Sequence, residues 1–442
     1  MTSPDDALLD LSALDQLLDQ ASPLEVRGRV TGLVGIVVKA VLPEAWAGEL
    51  CYIRNPQTDR LVRAEVVGFD RNEALLMPLG ELAQIGMASE VIPTGRGLTV
   101  RVGPGVLGRV LNGLGEPRDV AEKGPLTTER EYPVMAPPPD PLSRRRIQDP
   151  MPIGIKAVDS VLTVGEGQRV GLFAAAGGGK STFLGMVARN TAADVNVIAL
   201  IGERGREVND FIEESLGPEG MARSVVVVAT SDEPSLVRLK AAYVAQAIAD
   251  YFRDQGQRVM LMMDSVTRFA RAQREVGLAA GEPPARAGFT PSVFSELPRL
   301  LERSGNSDRG SITAFYTVLV EGDDMTEPVA DEVRSILDGH IILSRAIAAT
   351  GHYPAIDVLA SVSRVFPAIT DAEHQKAAMR LRELLAIYNT NREAILYNIY
   401  KKGSDPKIDE AISRIDQIQS FLRQGTHDQV SYEDCRALLA KI

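Results

Sequence analysis

GLFAAAGGGKSTFLGMVARN, residues 171–190, decides how the rest of the chain is read. An apolar run from Arg169 to Phe173 leads into Gly177, Gly178 and Gly179, then into Lys180, Ser181 and Thr182, where an amphipathic helix is predicted to begin. A strand, a glycine-rich loop and a helix start, in that order, make a phosphate-binding loop. Glycines let the backbone turn its N–H groups toward a polyphosphate, and the helix N-terminus adds the positive end of its dipole. Lys180 is placed to reach β- and γ-phosphates, and the Ser181 hydroxyl to ligate Mg²⁺. A plain glycine-rich turn would need neither the strand before it nor the helix after it. One departure stands out: the strict pattern G-x-x-x-x-G-K-[ST] asks for glycine where this chain has Ala174.

Two further strands are predicted to end on carboxylates. Arg258-Val-Met-Leu-Met-Met-Asp264 is an apolar run closed by an acid, and a buried strand with that ending delivers a carboxylate beside the phosphate loop, where it orients Mg²⁺ and its water shell. In IGERGRE another apolar strand ends at Gly202 and Glu203. Hydrolysis needs a group that polarises the attacking water, and Glu203 is the candidate. Glu207 lies further into the following helix and reads as a solvated helix acid.

Outward from this core, GQRVGLF, DVNVIALIG, RSVVVVAT, QRVMLMMD and SITAFYTVLVEG alternate with helical stretches between about Pro152 and Pro367. Continuous apolar runs are the pattern of buried parallel strands in an α/β layer. Before them, VRGRVTGLVGIVVKAVL, ELCYIRN, RLVRAEVVGFD and EALLMPL are short Val/Ile/Leu-rich strands split by Gly, Asn and Asp turns, which predicts a small β-barrel. RVLNGLGEPRD and MAPPPDPLSRRR, with Pro137 to Pro139, read as an ordered connector. After about Thr370 the chain is charged and helical. At the other end, Ser3-Pro4-Asp5-Asp6 starts a helix whose Leu8, Leu11, Leu14 and Leu18 form one stripe opposite Asp10, Gln16 and Asp19. That stripe either packs on its own domain or docks a partner's helix. The expected division is a docking helix over 1–22, a barrel over 23–97, an α/β core over 98–369 and a helical domain over 370–442.

Composition narrows the function classes. The 48 Lys and Arg against 59 Asp and Glu leave a net charge of −11, which argues against a nucleic-acid coat or an anionic-membrane binder. Two cysteines far apart, Cys51 and Cys435, exclude a disulfide scaffold, and the four histidines make no zinc-site spacing. With no 18-residue apolar run and an acidic start, the protein is expected in the cytosol.

IGERGREVNDFIEESLG, DSVTRFARAQREVGLAAGEPPARAGFTPSVF, GSITAFYTVLVEGDDMTEPVADEVRSILDGHI and GHYPAIDVLASVSRVF resemble the rotary-type ATPases that include the catalytic subunits of F-type ATP synthase. Within that family they are most similar to the ATPases of type III secretion and flagellar export. The resemblance runs from about residue 25 to 425. It implies a RecA-like phosphate-loop core with an N-terminal β-barrel and a C-terminal helical domain, assembled as a homohexamer that hydrolyses ATP with Mg²⁺. The family tolerates alanine at the first phosphate-loop position.

The resemblance also implies roles. Lys180, Ser181 and Thr182 match the end of the phosphate loop, Glu203 the catalytic glutamate with Arg204 beside it, and Asp264 the magnesium-orienting aspartate. Tyr353 in HYPAID matches the aromatic that packs on adenine, and Arg364 in SVSRVF the arginine finger offered to the neighbouring subunit's γ-phosphate. Because Glu203 and Arg364 share one chain, a homohexamer builds six equivalent sites, each completed in trans. The partners implied are a stalk-type regulator, a central stalk protein in the ring pore, the export gate and chaperone–effector complexes, met at the cytoplasmic face of the inner membrane. A ring helicase would need basic pore loops and aromatic platforms, and the N-terminal region has only Trp46, Tyr52 and Phe69, so no nucleic acid is expected. Glu203 argues against a non-catalytic regulatory subunit. VEGDDMTEPVADEVRSILDGH resembles the virulence-type branch more than the flagellar one.

Overall fold

The computed structural model describes residues 26–82, 84–175, 177–320 and 325–442. The N-terminal helix expected over 1–22 lies outside the described residues. The chain divides into two compact units, Met1–Arg96 and Gly97–Ile442.

In the first unit, strands β1 (Gly28–Val34), β2 (Val37–Val41), β3 (Leu50–Arg54), β4 (Leu61–Asp70), β5 (Glu73–Pro78) and β6 (Glu90–Pro93) close a barrel in the order β1-β2-β5-β4-β3-β6. All its pairings are antiparallel, and β6 pairs with both β1 and β3. Closure leaves no free sheet edge. Inward residues such as Val38, Ile53, Val66, Leu76 and Val91 are buried as its core. Strand β6 escaped the sequence reading because Glu90-Val-Ile-Pro93 is short and ends in proline.

The second unit opens with a ribbon of β7 (Thr99–Val102) and β9 (Arg130–Pro133). Between them β8 (Val110–Asn112) joins the central sheet by pairing in parallel with β12 (Ser224–Ala229). The stretch read as connector therefore supplies the sheet's edge, and three residues are too few to show as a strand in sequence. The main strands are β10 (Arg169–Ala174), β11 (Val195–Ile201), β13 (Arg258–Asp264), β15 (Ser311–Leu319) and β16 (Gly339–Leu343), with β14 (Gly305–Asn306) paired beside β15. The order is β17-β16-β10-β15-β13-β11-β12-β8, β17 being Val362–Ser363, and β8 through β16 run parallel along it. Every residue of β11 and β12 is buried, as strands covered on both faces must be.

The C-terminal helices Ala372–Leu396, Pro406–Leu422 and Tyr432–Leu439 each start on a side-chain cap, from Asp371, Asp405 and Ser431 respectively. Ala378, Leu381, Leu384, Ile418, Phe421 and Leu439 join one apolar cluster with Val158, Val161 and Leu162 of the core. Polar contacts fix the docking. His374 meets the Ser160 carbonyl at 2.6 Å. The Gln424 side chain donates to Gly154 O (2.8 Å) and accepts from Lys156 N (2.8 Å), while its backbone N–H donates to Tyr353 O (3.0 Å). Cys51 and Cys435 are free and buried, and burial pushes both thiols up to about 12. No helix among the described residues is long and apolar enough to cross a membrane.

Candidate active site

The parallel strands β10, β11 and β13 point their C-terminal ends to one side of the sheet, where α/β folds bind ligands. Ala174 is the last residue of β10, 1% exposed and in strand conformation, so a methyl group fits where the strict motif has glycine. The turn comes later. Gly177 and Gly179 have φ of 79° and 86°, values that side-chain-bearing residues rarely adopt. The helix Lys180–Asn190 starts at Gly179 with no side-chain cap, which leaves its first N–H groups available to an anion.

A cleft of about 480 Å³ opens here, lined by Gly177, Gly179, Lys180, Ser181, Thr182 and Glu203, with Arg204, Glu207 and Arg268 around them. Gly178 packs beneath, its N–H bonded to Ala175 O at 3.1 Å. Lys180 is the centre of charge. Its ammonium contacts Asp264 Oδ1 and lies 3.3 Å from Glu203 Oε1. The three side chains are only 12%, 13% and 4% exposed for Lys180, Glu203 and Asp264, so one buried cation faces two carboxylates. Burial alone would lower the Lys180 pKa, but Asp264 and Glu203 hold it above the ordinary value. Glu203 is pushed up to about 7 by burial and by the Asp264 charge, against the pull of Lys180.

The structure brings Lys180, Glu203 and Asp264 into direct contact and sets Ser181 and Thr182 exposed at the same cleft. Arg204 stands at the rim, 81% exposed and 3.7 Å from Glu207. Tyr353 and Arg364 are not among the cleft's lining residues. Tyr353 is 51% exposed on the loop anchored by Gln424. Arg364 is exposed just past β17 at the sheet edge. Its Nη2 reaches Arg334 O at 3.4 Å, and it meets no carboxylate among the described residues.

Three contributors were missed in sequence. Thr317 on β15 donates its hydroxyl to Asp264 Oδ1 at 2.8 Å, and only the pairing of β13 with β15 brings the two together. Arg268 lines the cleft one turn into the helix that follows Asp264, with its stem packed over Gly202. Glu207, read as a solvated acid, interacts with Glu203 while staying half-exposed, and that interaction raises Glu203 and lowers Glu207. The signal for Glu207 was its place four residues after Glu203, one helical turn on.

Comparison with known proteins agrees with this architecture. Residues 154–363 match the ATP synthase alpha/beta family nucleotide-binding domain, 30–95 the beta-barrel domain of the same family, and 370–441 the T3SS EscN ATPase C-terminal domain. The type 3 secretion system ATPase of Xanthomonas euvesicatoria is 58% identical over 415 residues, 94% of this chain and 93% of that protein. The flagellum-specific ATP synthase of Bacillus subtilis is 53% identical over 420 residues, 94% of each. The assembled ATPase EscN of enteropathogenic E. coli, solved in complex with its central stalk EscO, superposes with a TM-score of 0.87 at 46% identity, covering 94% of this chain and 99% of that one. With the cleft, the barrel and the helical domain all matched, the chain belongs to the ATP synthase alpha/beta family, as an ATPase of its type III secretion and flagellar export members.

Proposed function

We propose that the chain hydrolyses Mg²⁺-bound ATP as one of six identical subunits, each borrowing Arg364 from its neighbour, and so energises protein export through a virulence-type injectisome. The carrying observation is the division of charge. Lys180, Glu203 and Asp264 are gathered in one cleft, and Arg364 stands exposed at the sheet edge, outside the residues that line it.

In this reading Lys180 leaves its two carboxylates for the β- and γ-phosphates, and the uncapped N–H groups of the loop and helix hold the remaining oxygens. Arg268 adds a second cation from the cleft wall. Freed of Lys180, Glu203 takes the proton of the attacking water. Asp264 and Ser181 are the oxygen donors that would hold Mg²⁺. One carboxylate and one hydroxyl suit an ion that arrives on the phosphates better than a resident ion in a protein cage. When bound, Mg²⁺ neutralises charge on the β- and γ-oxygens. Arg364 of the adjacent subunit meets the charge that develops on the γ-phosphoryl group, and Tyr353 packs on adenine.

The EscN assembly with its central stalk supports a ring and a stalk protein in its pore for this chain too. A stalk-type regulator, the export gate and chaperone–effector complexes complete the partners, with the ATPase peripheral at the cytoplasmic face of the inner membrane. Residues 320–340 and the 58% identity to a secretion ATPase, against 53% to a flagellar one, support the injectisome. Deleting the gene should stop effector secretion and leave swimming intact; the reverse result assigns the chain to the flagellum.

The site itself is tested by mixing two inactive variants, Lys180→Ala and Arg364→Ala. A boundary that pairs the first variant's arginine with the second's phosphate loop is complete, so activity should reappear in mixed rings. No rescue at any ratio, with assembly of mixed rings demonstrated, rules out a finger acting in trans.

A further inference from the structure

The residues that present Arg364 are held from two sides, and one of those sides is the helical domain. On the core side, Arg364 N–H donates to Asp338 O at 3.0 Å. Arg169 grips the Asp338 carboxylate through Nε (3.0 Å) and Nη2 (3.1 Å), and Gln168 Nε2 donates to both Asp338 O and Ser363 Oγ at 3.2 Å. Ser363 in turn donates to Thr163 O at 2.9 Å. These bonds hold one edge of a strand only two residues long, paired on one side with β16.

Toward the helical domain, packing leaves the segment less supported. Val161, Val362, Phe366, Pro367 and Met379 line an open groove of about 260 Å³, with Val362 and Met379 44% and 70% exposed. Arg382 crosses this gap from the helix Ala372–Leu396. Its Nη2 donates to Ser361 O and to Val161 O, both at 3.2 Å. Ser361 is fully buried and is itself pinned, donating to Asp357 O (2.6 Å) and accepting from Ile342 N (3.0 Å). Among the described residues, Arg382 is the only side chain of that helix hydrogen-bonded to residues 361–364. It meets no carboxylate there either. A partly buried guanidinium without a counter-ion is costly, and among the described residues carbonyl oxygens are its compensation. One of them, Val161 O, belongs to the last turn of the helix Lys156–Val161, where a cation is favoured.

We propose that Arg382 is a positioning residue for Arg364: by bridging Val161 and Ser361 it fixes the base of the strand from which the finger projects, and it ties the finger's aim to the position of the helical domain. Arg382 touches no nucleotide. It acts on the neighbour's site through Arg364, and the inference rests on the trans-finger reading above. Geometry matters here because a displacement of about 1 Å at a group that meets the transition state can cost about 10²-fold in rate.

The test measures kcat and KM for ATP in Arg382→Ala, Arg382→Lys and Arg364→Ala, at protein concentrations where rings form. Arg382→Ala should lower kcat by about tenfold or more, with KM within about twofold of wild type, since its own cleft is untouched. Arg382→Lys keeps a cation with three donors and should recover most of the rate. Mixed with Lys180→Ala subunits, Arg382→Ala subunits should regain turnover, because the intact finger then comes from the other variant. Arg364→Ala in the same mixing separates the two ideas. If it is not rescued, the trans finger is wrong. If it is rescued while Arg382→Ala keeps wild-type kcat, loses rate through KM, or shows no rescue, the positioning role is wrong. Should Arg382→Ala fail to fold, Arg382→Gln carries the same expectations and the same failures.

Discussion

The cleft at the strand ends and the sheet edge at β17 both present a cation, and they treat it in opposite ways. In the cleft, Lys180 is buried and neutralised twice over, by Glu203 and Asp264. At the edge, Arg364 is exposed, with only a carbonyl at 3.4 Å among the described residues, while the backbone beneath it is held by Gln168, Asp338, Ser363 and Arg382. One region keeps its charges satisfied within a single chain. The other spends its bonds on the backbone and leaves the guanidinium itself exposed. On the trans-finger proposal, such a site is half assembled before any neighbour arrives.

Removing the exposed charge should have the largest effect. Arg364→Ala is expected to cut turnover by about 10³-fold or more while nucleotide binding stays near wild type, because the contact forms only as charge develops on the phosphoryl group. Equal losses in binding and turnover would mean that the edge belongs to the ground-state pocket. Glu203→Gln should lower turnover by at least about 10²-fold, read in a steady-state assay beside a nucleotide-binding titration. Its affinity should hold or improve, since one of the two carboxylates competing for Lys180 is gone.

Acidity distinguishes the regions next. Glu203 is pushed up to about 7, so in the free enzyme its carboxyl is protonated below that value and able to accept a proton above it. The ratio kcat/KM should therefore rise between about pH 6 and 8 and then level off, and Glu203→Gln should lose that limb. A limb that survived in Glu203→Gln would belong to another group. The smallest effect is expected from Thr317→Val, which removes the hydroxyl bonded to Asp264 but leaves Lys180 in place. A hydrogen bond to a charged group contributes about 1.5–3 kcal/mol to stability, so the melting temperature should fall by a few degrees, while turnover should drop by no more than about tenfold because Lys180 still holds Asp264.

The two regions also differed in how far they could be read from sequence. Gly177 to Thr182, Glu203 and Asp264 were legible because each sits at the end of an apolar strand, and strand ends converge on one side of a parallel sheet. The partners of those residues were not. Thr317 reaches Asp264 only through the register of β13 on β15, and a threonine inside a β-rich run carries no mark of that. The edge was less legible still. Arg364 was named by resemblance, and Arg382 looks in sequence like any arginine on a charged helix, since its acceptors at Val161 and Ser361 lie 221 and 21 residues away. The barrel followed from its turns, except β6. Strand β8 was missed because three residues at a sheet edge acquire their identity from β12.

Gln424 has a consequence for how the chain is made. Its side chain joins Gly154 and Lys156 at sequence separations of 270 and 268 residues, and its backbone N–H holds the carbonyl of Tyr353. During synthesis the phosphate loop, Glu203 and Asp264 all leave the ribosome long before residue 424 exists. Contacts that close such long loops form late, because the entropy of closure is spent before they can contribute. A nascent chain can thus gather the cleft's charges while the loop carrying Tyr353 still lacks its anchor. That loop is tied down only after residue 424 has been made.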